Sequence, residues 1–461
     1  MKFTPILFFL YFFPLFVRCQ QTFTLSQEYP SSFDYISDVV QIDDKFYFLQ
    51  MRHFRTQEEW DANTYSDILV TSLSGTILDT FNLKGLGNRY SKFLKIDGDI
   101  AYLIGSIKSD SCLSTVVISK FNLVTHQLDI ISSYELCDSH MQFINLIQGL
   151  KEDSFIEGIE YNDGLSKFFL KIDSAYTLTK IVDHLPYEVN LSPDFSRNGY
   201  LIANAKLYNF YDAGFNYRKQ LYTSEPIFCS SQTHKPFRKN LIIEQVYKTS
   251  SSSDEGMQVR LIDSSLHIIK KAIIYPDNFQ GDIFLPSFGG VDIKDKNEMW
   301  ATAIFGLQPN LDFSIYSLTK LDSNLNIVCQ HFLGYDTPYI IYGIKSFDSG
   351  GAIVYGNRVK DGLGQNEGED IFAIRVGENC ELPATVSTNG PATQLISISA
   401  YPNPGINDLT FSVNGFDPAT LRVEFIDELG QVLFTEKDLT NSIQVPQLPA
   451  GQYFYRILQN D

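Results

Sequence analysis

The chain has 461 residues and carries 54 Asp and Glu against 36 Lys and Arg, which gives a formal net charge of −18. An acidic surface of this kind repels phosphate groups, so we expect neither nucleic acid nor anionic lipid as a partner. The length is sufficient for one large domain and a smaller one.

The first 19 residues have the pattern of a secretory signal peptide. Lys2 precedes an apolar run from Pro5 to Val17, which is shorter than the roughly 20 residues that cross a bilayer. We predict cleavage after Cys19. Arg18 stands where a lipoprotein signal has a small residue, which weighs against acylation of Cys19 but leaves that alternative open. No later stretch is long and apolar enough to cross a membrane, so we predict a mature chain without a transmembrane segment.

One module recurs through residues 20–381. Its first half is a pair of alternating strands around a turn, as in YISDVVQIDDKFYFLQMR and YSKFLKIDGDIAYLIGSI. Its second half often carries Lys-x-Asp, a Ser or Asn turn and another strand, as in SKFFLKIDSAYTLTKIVDHL. The second halves begin near residues 67, 114, 166, 217, 255, 313 and 369, where the copy near 217 is poor and the last is truncated.

Four short strands in a repeat of roughly 50 residues are typical of a β-propeller blade. A single four-stranded sheet leaves both faces bare, whereas sheets packed around an axis cover them. We therefore predict an all-β fold with a seven-bladed β-propeller, and six to eight blades are compatible with the pattern. A stacked array of β-sandwiches is the structural alternative.

The tail of the chain has a different composition. Residues 382–395, LPATVSTNGPATQL, are uncharged and rich in Pro, Thr, Ser, Gly and Ala, which predicts a linker. Residues 396–461 alternate apolar and polar side chains over five short segments and predict a small β-sandwich. These segments are Asp408–Val413, Leu421–Asp427, Gln431–Glu436, Ser442–Val445 and Gln452–Leu458.

Within the tail, a YPNP start, a D-x-x-G turn and an L-x-x-G-x-Y end follow one another. Their residues are Tyr401, Pro402, Asn403, Pro404, Asp427, Gly430, Gly451 and Tyr453. This series resembles the type A C-terminal sorting domain of the type IX secretion system, which is found in Bacteroidota. The resemblance implies passage through the periplasm, binding of the folded tail by the outer-membrane translocon, and secretion or display at the cell surface. The family usually continues with a basic last strand, which is missing here; we expect either that the chain is a fragment or that the domain lacks this strand.

Five cysteines follow the predicted signal, and none lies in a metal-ligand spacing. An exported chain meets an oxidising environment, so pairs can form. Cys112 and Cys137 flank a predicted hairpin and are our candidate disulfide pair. We interpret all five cysteines as structural.

Candidate sites are few. The seven histidines are scattered without HxH or HExxH, and no catalytic motif or cofactor fingerprint is present. We expect no cofactor, although the acidic segments 250–256 and 361–370 could offer oxygen ligands to calcium. The aromatic segment 209–217 fits buried strand side chains better than a sugar site. A polar insertion suggests a ligand site at the propeller rim, formed by His53, Arg55 and Trp60.

These features favour a secreted or cell-surface protein whose propeller binds an extracellular protein or polysaccharide, or acts as a scaffold, without catalysis. The alternative is an enzyme that acts on polysaccharides, a glycoside hydrolase or lyase, with carboxylates dispersed over the propeller.

Overall fold

The structure is a computed structural model. It describes residues 22–27, 32–54, 64–83, 89–107, 114–136, 140–148, 154–162, 164–186, 190–194, 199–203, 207–222, 233–238, 241–248, 256–276, 283–284, 286, 289–295, 297–306, 314–334, 337–359, 369–383, 397–401, 408–414, 421–426, 431–437, 443–444 and 454–459. The regular elements among these residues are all strands, as the alternating sequence pattern predicts.

The first strand pairs with none of the described strands in the three sheets that follow it along the chain. It is β1 (Phe23–Gln27). Sheet one contains β2 (Ser32–Ile42), β3 (Lys45–Phe54), β4 (Thr64–Ser72) and β5 (Ile77–Leu83). Sheet two contains β6 (Arg89–Asp97), β7 (Ile100–Ile107), β8 (Ser114–Asn122) and β9 (Leu128–Leu136). Sheet three contains β10 (His140–Gln148), β11 (Ser154–Asn162), β12 (Gly164–Ile172) and β13 (Leu178–Pro186).

Four more sheets follow. Sheet four contains β14 (Asn190–Pro193), β15 (Gly199–Ala203), β16 (Leu207–Asp212) and β17 (Tyr217–Tyr222). Sheet five contains β18 (Thr233–Arg238), β19 (Leu241–Lys248), β20 (Gly256–Asp263) and β21 (Ile268–Ile274). Sheet six contains β22 (Ile283–Phe284), β23 (Val291–Ile293), β24 (Met299–Ala301), β25 (Ile304–Phe305), β26 (Ile315–Leu321) and β27 (Ile327–Gly334). Sheet seven contains β28 (Tyr339–Ser346), β29 (Ala352–Val359) and β30 (Glu369–Val376).

Each of these sheets is an antiparallel meander with four strand positions. In sheet six the first position is shared by β22 and β23, and the second by β24 and β25. Sheet seven receives its fourth strand from the other end of the chain, because β1 pairs with β30 from Phe23↔Arg375 to Gln27↔Ile371. This pairing explains why the seventh sequence repeat is truncated.

The first strands of the seven sheets surround a common axis. Strands β2, β6, β10, β14, β18, β23 and β28 contact one another in this order, and β28 contacts β2. Sheets one and seven also share a parallel pair at Phe33↔Glu369. A closed ring of four-stranded sheets is a β-propeller. The described residues are compatible with the predicted seven blades, and the stacked-sandwich alternative does not produce this ring.

The fourth repeat differs from its sequence prediction. The sequence predicts its second half near residue 217, but the third strand of sheet four is β16, which begins at Leu207. The strand ends in an Asp-containing turn like those of the other repeats, and Tyr217 begins the fourth strand. The prediction was wrong because β14 and β15 are shorter than the first and second strands of most other sheets. The turn between the third and fourth strands therefore comes earlier in the sequence than predicted.

The core consists of layers between consecutive sheets. Each of the seven interfaces of the ring holds a hydrophobic cluster of buried side chains. Ile104 of sheet two and Phe168 of sheet three, for example, are both fully buried in one cluster. Since each sheet has apolar side chains on both faces, the sheets are stable only as neighbours in the ring.

The turn between the third and fourth strands is the same device in repeat after repeat. In sheet six the Leu325 amide donates to the Asp322 carbonyl at 3.0 Å, and Oδ1 of Asp322 accepts from the Asn324 and Asn326 amides at 2.8 and 2.9 Å. Leu325 then adopts a left-handed conformation with φ of 56°. The aspartate of the predicted Lys-x-Asp pattern therefore holds the turn through its own side chain.

The left-handed positions of these turns, which we call the turn residues, are occupied in every sheet but the first by residues other than glycine, which most proteins avoid at positive φ. The turn residues are Gly75, His126, Tyr176, Phe215, Leu266, Leu325 and Cys380. Except for Gly75, their side chains pack against the preceding sheet. Tyr176 of sheet three, for example, stacks on Tyr102 of sheet two with ring centroids 5.1 Å apart. Contacts with the neighbouring sheet offset the backbone strain.

The tail forms two small sheets. Its strands are β31 (Ser397–Tyr401), β32 (Asp408–Asn414), β33 (Leu421–Ile426), β34 (Val432–Lys437), β35 (Ile443–Gln444) and β36 (Phe454–Gln459). Strand β32 lies between β31 and β35, and β33 lies between β34 and β36. Two three-stranded sheets are compatible with the predicted small sandwich. In the part of the chain that the structure describes, no helix has the length and hydropathy of a membrane span.

Candidate functional site

The two ends of the propeller differ in their connections. Because the sheets are related by rotation about the axis, all first strands begin at one end, which we call the start face, and finish at the other, the turn face. Strand ends at the turn face are joined by short segments such as 43–44, 98–99, 73–76 and 264–267. Strand ends at the start face are joined by the longest segments of the propeller, which are 55–63, 223–232, 306–314 and 360–368. Long connections are where propellers vary their surface.

Charged side chains gather on the axis, where the first strands meet. We call the group formed by Asp38, Lys92, Lys235, Asp292 and Lys345 the axial cluster. These residues come from five first strands, those of sheets one, two, five, six and seven. Three ammonium groups face two carboxylates, so the cluster has a net positive charge inside a chain of net charge −18.

The carboxylates of the axial cluster join neighbouring sheets. Asp38 Oδ2 accepts a hydrogen bond from the Phe93 amide at 2.9 Å, and its Oδ1 lies 3.8 Å from Lys92 Nζ. Asp292 Oδ2 accepts from both the amide and the hydroxyl of Ser346, at 2.8 and 2.7 Å. Its Oδ1 accepts from Lys235 Nζ at 2.9 Å. Both aspartates are therefore engaged by groups of the next or the preceding sheet.

The cluster shifts the pKa values of its members. Burial lowers the pKa of Lys92 to about 8. The charge of Asp38 opposes this shift, and the charges of Lys345 and Lys235 add to it. Burial alone would raise the pKa of Asp292, but Lys235, Lys345 and the Ser346 amide hold it well below its usual range. Burial opposes the charge of Lys345, yet Asp292 and Asp38 raise its pKa. At neutral pH Lys92, Asp292 and Lys345 are therefore ionised.

A pair of stacked tyrosines lies nearer to the start face. The rings of Tyr35 and Tyr342 have centroids 4.6 Å apart, and the Tyr35 hydroxyl lies 2.9 Å from Met51 Sδ. Burial raises the pKa of both hydroxyls. For Tyr35 this effect is larger than the opposing effect of the Arg89 charge, which lowers the pKa. These phenols remain protonated and are packing groups with a polar end.

The predicted rim site is only partly within the described residues. His53 lies in β3, paired in register with Phe33 and Thr64, so its backbone is at the start face. Arg55 and Trp60 lie outside the described residues, in the connection between β3 and β4. The site remains a prediction at a strand end of the start face.

The cysteine prediction concerned a different pair from the one that the structure joins. Cys329 in β27 and Cys380 in the last turn form a disulfide, with Cα atoms 6.4 Å apart and a sequence separation of 51. This bond links sheets six and seven. Cys112 and Cys137 lie outside the described residues, so their pairing stays a prediction.

The aromatic segment 209–217 contributes mainly to packing. Phe210 is buried, and Phe215, the turn residue of sheet four, stacks on Tyr200 with ring centroids 4.5 Å apart. Tyr217, at 59% exposure, projects from the outer strand. The acidic segments considered for calcium lie largely outside the described residues. Within the described ranges, no three His, Cys, Asp or Glu side chains lie close enough to hold a metal ion.

Sequence reasoning missed the axial cluster. Its signal was a charged residue within a first strand, as Asp38 in YISDVVQI and Lys345 in YIIYGIKS. Each such residue looks like an ordinary exposed strand position. These positions become neighbours only because the first strands of all the sheets meet at the axis of a closed ring.

Comparison with known proteins identifies the tail. Residues 399–461 match the family model described as the secretion system C-terminal sorting domain. No curated protein sequence matches the chain. The match includes the predicted motif residues Tyr401 to Tyr453, of which only Tyr401 lies in a described strand.

Several solved structures are similar to the propeller at low identity. They include the WD40 domain of Pan2 from Neurospora crassa, with 11% identity, 74% of this chain and 88% of that chain covered, and a TM-score of 0.38. The WD40 domain of SCAP from fission yeast has 7% identity, coverage of 78% and 98%, and a TM-score of 0.35. Sqt1 from Saccharomyces cerevisiae has 9% identity, coverage of 77% and 98%, and a TM-score of 0.37.

The resemblance noted in the sequence is thus confirmed for the tail, and the closed ring of sheets confirms the propeller. A sorting domain of this kind implies interaction with the type IX secretion machinery and export to the cell surface or the medium. Residues 399–461 are a type IX secretion system C-terminal sorting domain, and they follow a β-propeller.

Proposed function

We propose that the propeller is a non-catalytic binding module, which the sorting domain carries out of the cell and which holds an extracellular protein or polysaccharide at its start face. The observation that carries this proposal is the difference between the two faces. The turn face carries short turns, and those between third and fourth strands share one design, while the long connections, with unrelated sequences, gather at the start face. A surface that varies on a constant scaffold is typical of recognition.

The route of export is part of the proposal. The signal peptide would be removed after Cys19, the chain would fold in the periplasm, and the tail would then engage the translocon. Deletion of residues 399–461 should leave the protein in the periplasm, whereas the full chain reaches the surface or the medium. Cell fractionation with immunoblotting measures the distribution. Secretion of the truncated chain at the level of the full chain would contradict the proposed route.

Binding is tested with the full chain, incubated with insoluble and soluble polysaccharides and with surface proteins of the producing cells. We expect retention by one of these partners without release of sugar fragments. Released sugars would instead support the alternative, an enzyme that acts on polysaccharides.

Two matched variants locate the binding face. Trp60→Ala changes the connection between β3 and β4 at the start face, and Val124→Ala changes a turn-face residue that is 68% exposed. We expect about tenfold weaker retention of Trp60→Ala, as for loss of a buried aromatic contact. Val124→Ala should bind as the unchanged chain does. The opposite pattern would place the binding face at the turn face.

A further inference from the structure

The axial cluster has no role in the proposed start-face contact. Its most accessible member is Lys345, the residue before Ser346, with which β28 ends at the turn face. Lys345 keeps solvent-accessible surface, although the first strands around it partly desolvate its ammonium group. The cluster can therefore be reached from the turn face.

Lys345 differs from the other two lysines in its partners. Lys92 Nζ donates to the Ser37 carbonyl at 3.1 Å, and Lys235 Nζ donates to Asp292 at 2.9 Å. Within the described part of the chain, the Lys345 ammonium group makes no hydrogen bond or ion pair. It interacts with Asp292 and Asp38 only at longer range.

Both aspartates have partners nearer than Lys345. Asp292 already accepts from the Ser346 amide, the Ser346 hydroxyl and Lys235, and Asp38 accepts from the Phe93 amide beside Lys92. An ammonium group has three hydrogens to donate. Those of Lys345 therefore remain available for an acceptor that the described protein residues do not supply.

From this geometry we propose that the axial cluster is a binding site for an oxyanion, a carboxylate or sulfate group of an extracellular ligand that enters from the turn face. The oxyanion accepts hydrogen bonds from Lys345 and from the remaining ammonium hydrogens of Lys235. It also offsets the repulsion among three lysines that meet at the axis.

The charge of the whole chain makes such a site selective. A surface with net charge −18 repels small anions almost everywhere, so accumulation of an anion requires a local concentration of positive charge. Charge-assisted hydrogen bonds inside a narrow site are stronger than those on an open surface. The axial cluster supplies both conditions, because its positive charge is surrounded by the first strands.

Isothermal titration of the full chain tests the proposal at constant ionic strength and pH 7. Sodium sulfate and sodium D-glucuronate are titrated separately, which distinguishes a sulfate from a carboxylate ligand, and D-glucose is the uncharged control. We expect saturable one-to-one binding of at least one anion and none of glucose. Lys345→Gln should weaken the binding about tenfold or more, as for loss of one charge-assisted hydrogen bond. Lys345→Arg, which keeps the charge, should stay within a few-fold of the original affinity.

Lys219→Gln is the matched control, because Lys219 is an exposed lysine on the outer strand β17 and should leave anion affinity unchanged. Circular dichroism confirms that each variant is folded. The proposal is overturned if neither anion binds saturably, or if Lys345→Gln binds as tightly as the unchanged chain. Since the start-face variants are measured separately, either result leaves the proposed partner binding to stand or fall by its own test.

Discussion

A Cβ atom at Gly75 would lie 2.5 Å from Cγ of Phe23, so the phenyl ring of the first strand occupies the space next to this turn. At the other six interfaces the turn residue itself fills the gap between consecutive sheets. Between sheets seven and one the arrangement is reversed, because Phe23 comes from β1 and its partner has no side chain. This reversal follows from closing the ring with a strand from the beginning of the chain.

Gly75→Ala should therefore lower the free energy of unfolding by about 2–5 kcal/mol, which combines the left-handed backbone with overpacking against Phe23. Gly98→Ala is the matched control, since Gly98 also has positive φ but a Cβ there meets nothing within 4 Å. It should cost only about 1–2 kcal/mol. Urea denaturation followed by fluorescence measures both. Equal losses would show that Phe23 does not fill the space beside Gly75.

Leu325→Gly relieves a left-handed backbone but removes a side chain that is only 3% exposed. Loss of the buried side chain costs about 2–5 kcal/mol and relief of the backbone returns about 1–2 kcal/mol, so the variant should be less stable. Asp43→Gly has the same backbone change at an exposed position and should be neutral or slightly stabilising. A thermal melt of each variant provides the comparison. If Leu325→Gly is as stable as Asp43→Gly, the turn residues do not stabilise the interfaces.

Removal of the Cys329–Cys380 disulfide should lower the free energy of unfolding by about 2–4 kcal/mol. Cys329→Ser, Cys380→Ser and the double variant should lose similar amounts, because one bond is absent in all three. Thiol titration of the unfolded chain should report at least two fewer reactive groups in the unchanged protein before reduction than after it. A double variant that melts at the original temperature would contradict a stabilising role for this link between sheets six and seven.

Lys92 should make stability depend on pH in the alkaline range. Burial lowers its pKa from 10.5 to about 8 in the folded chain. Between pH 8 and 10.5 the unfolded chain binds the proton that the folded chain has lost, so stability rises with pH by up to about 3 kcal/mol. Lys92→Met lacks this titration. Urea denaturation from pH 7 to 10.5 should therefore show the unchanged chain gaining stability relative to Lys92→Met, and parallel curves would refute the shift.

Much of the fold could be predicted because its signals are local. Alternating strands and the Lys-x-Asp turn recur along the chain, and the aspartate has a direct role in the turn, as Asp322 shows. The ring closure could not be predicted in this way. Phe23 pairs with Arg375, and no local pattern in FTLSQ distinguishes a fourth strand of the last sheet from a leading strand of the first.

The candidate site was less predictable than the fold. The axial cluster depends on five residues that are separated along the chain and that become neighbours only after the ring closes. Lys345 and Asp292 each occupy a polar position on an amphipathic strand, which has no distinctive sequence signal. The disulfide was missed for a similar reason, since Cys380 lies in a turn whose packing against sheet six depends on the ring.

Closure of the ring also orders events during synthesis. The pairing partner of β1 ends at Val376, so the first strand stays unpaired until the last strand of the propeller has been synthesised. The sorting domain begins only at residue 399, after this partner is complete. Any chain that contains the sorting domain therefore already contains every strand of its propeller. Incompletely synthesised chains lack the sorting domain and should not be exported.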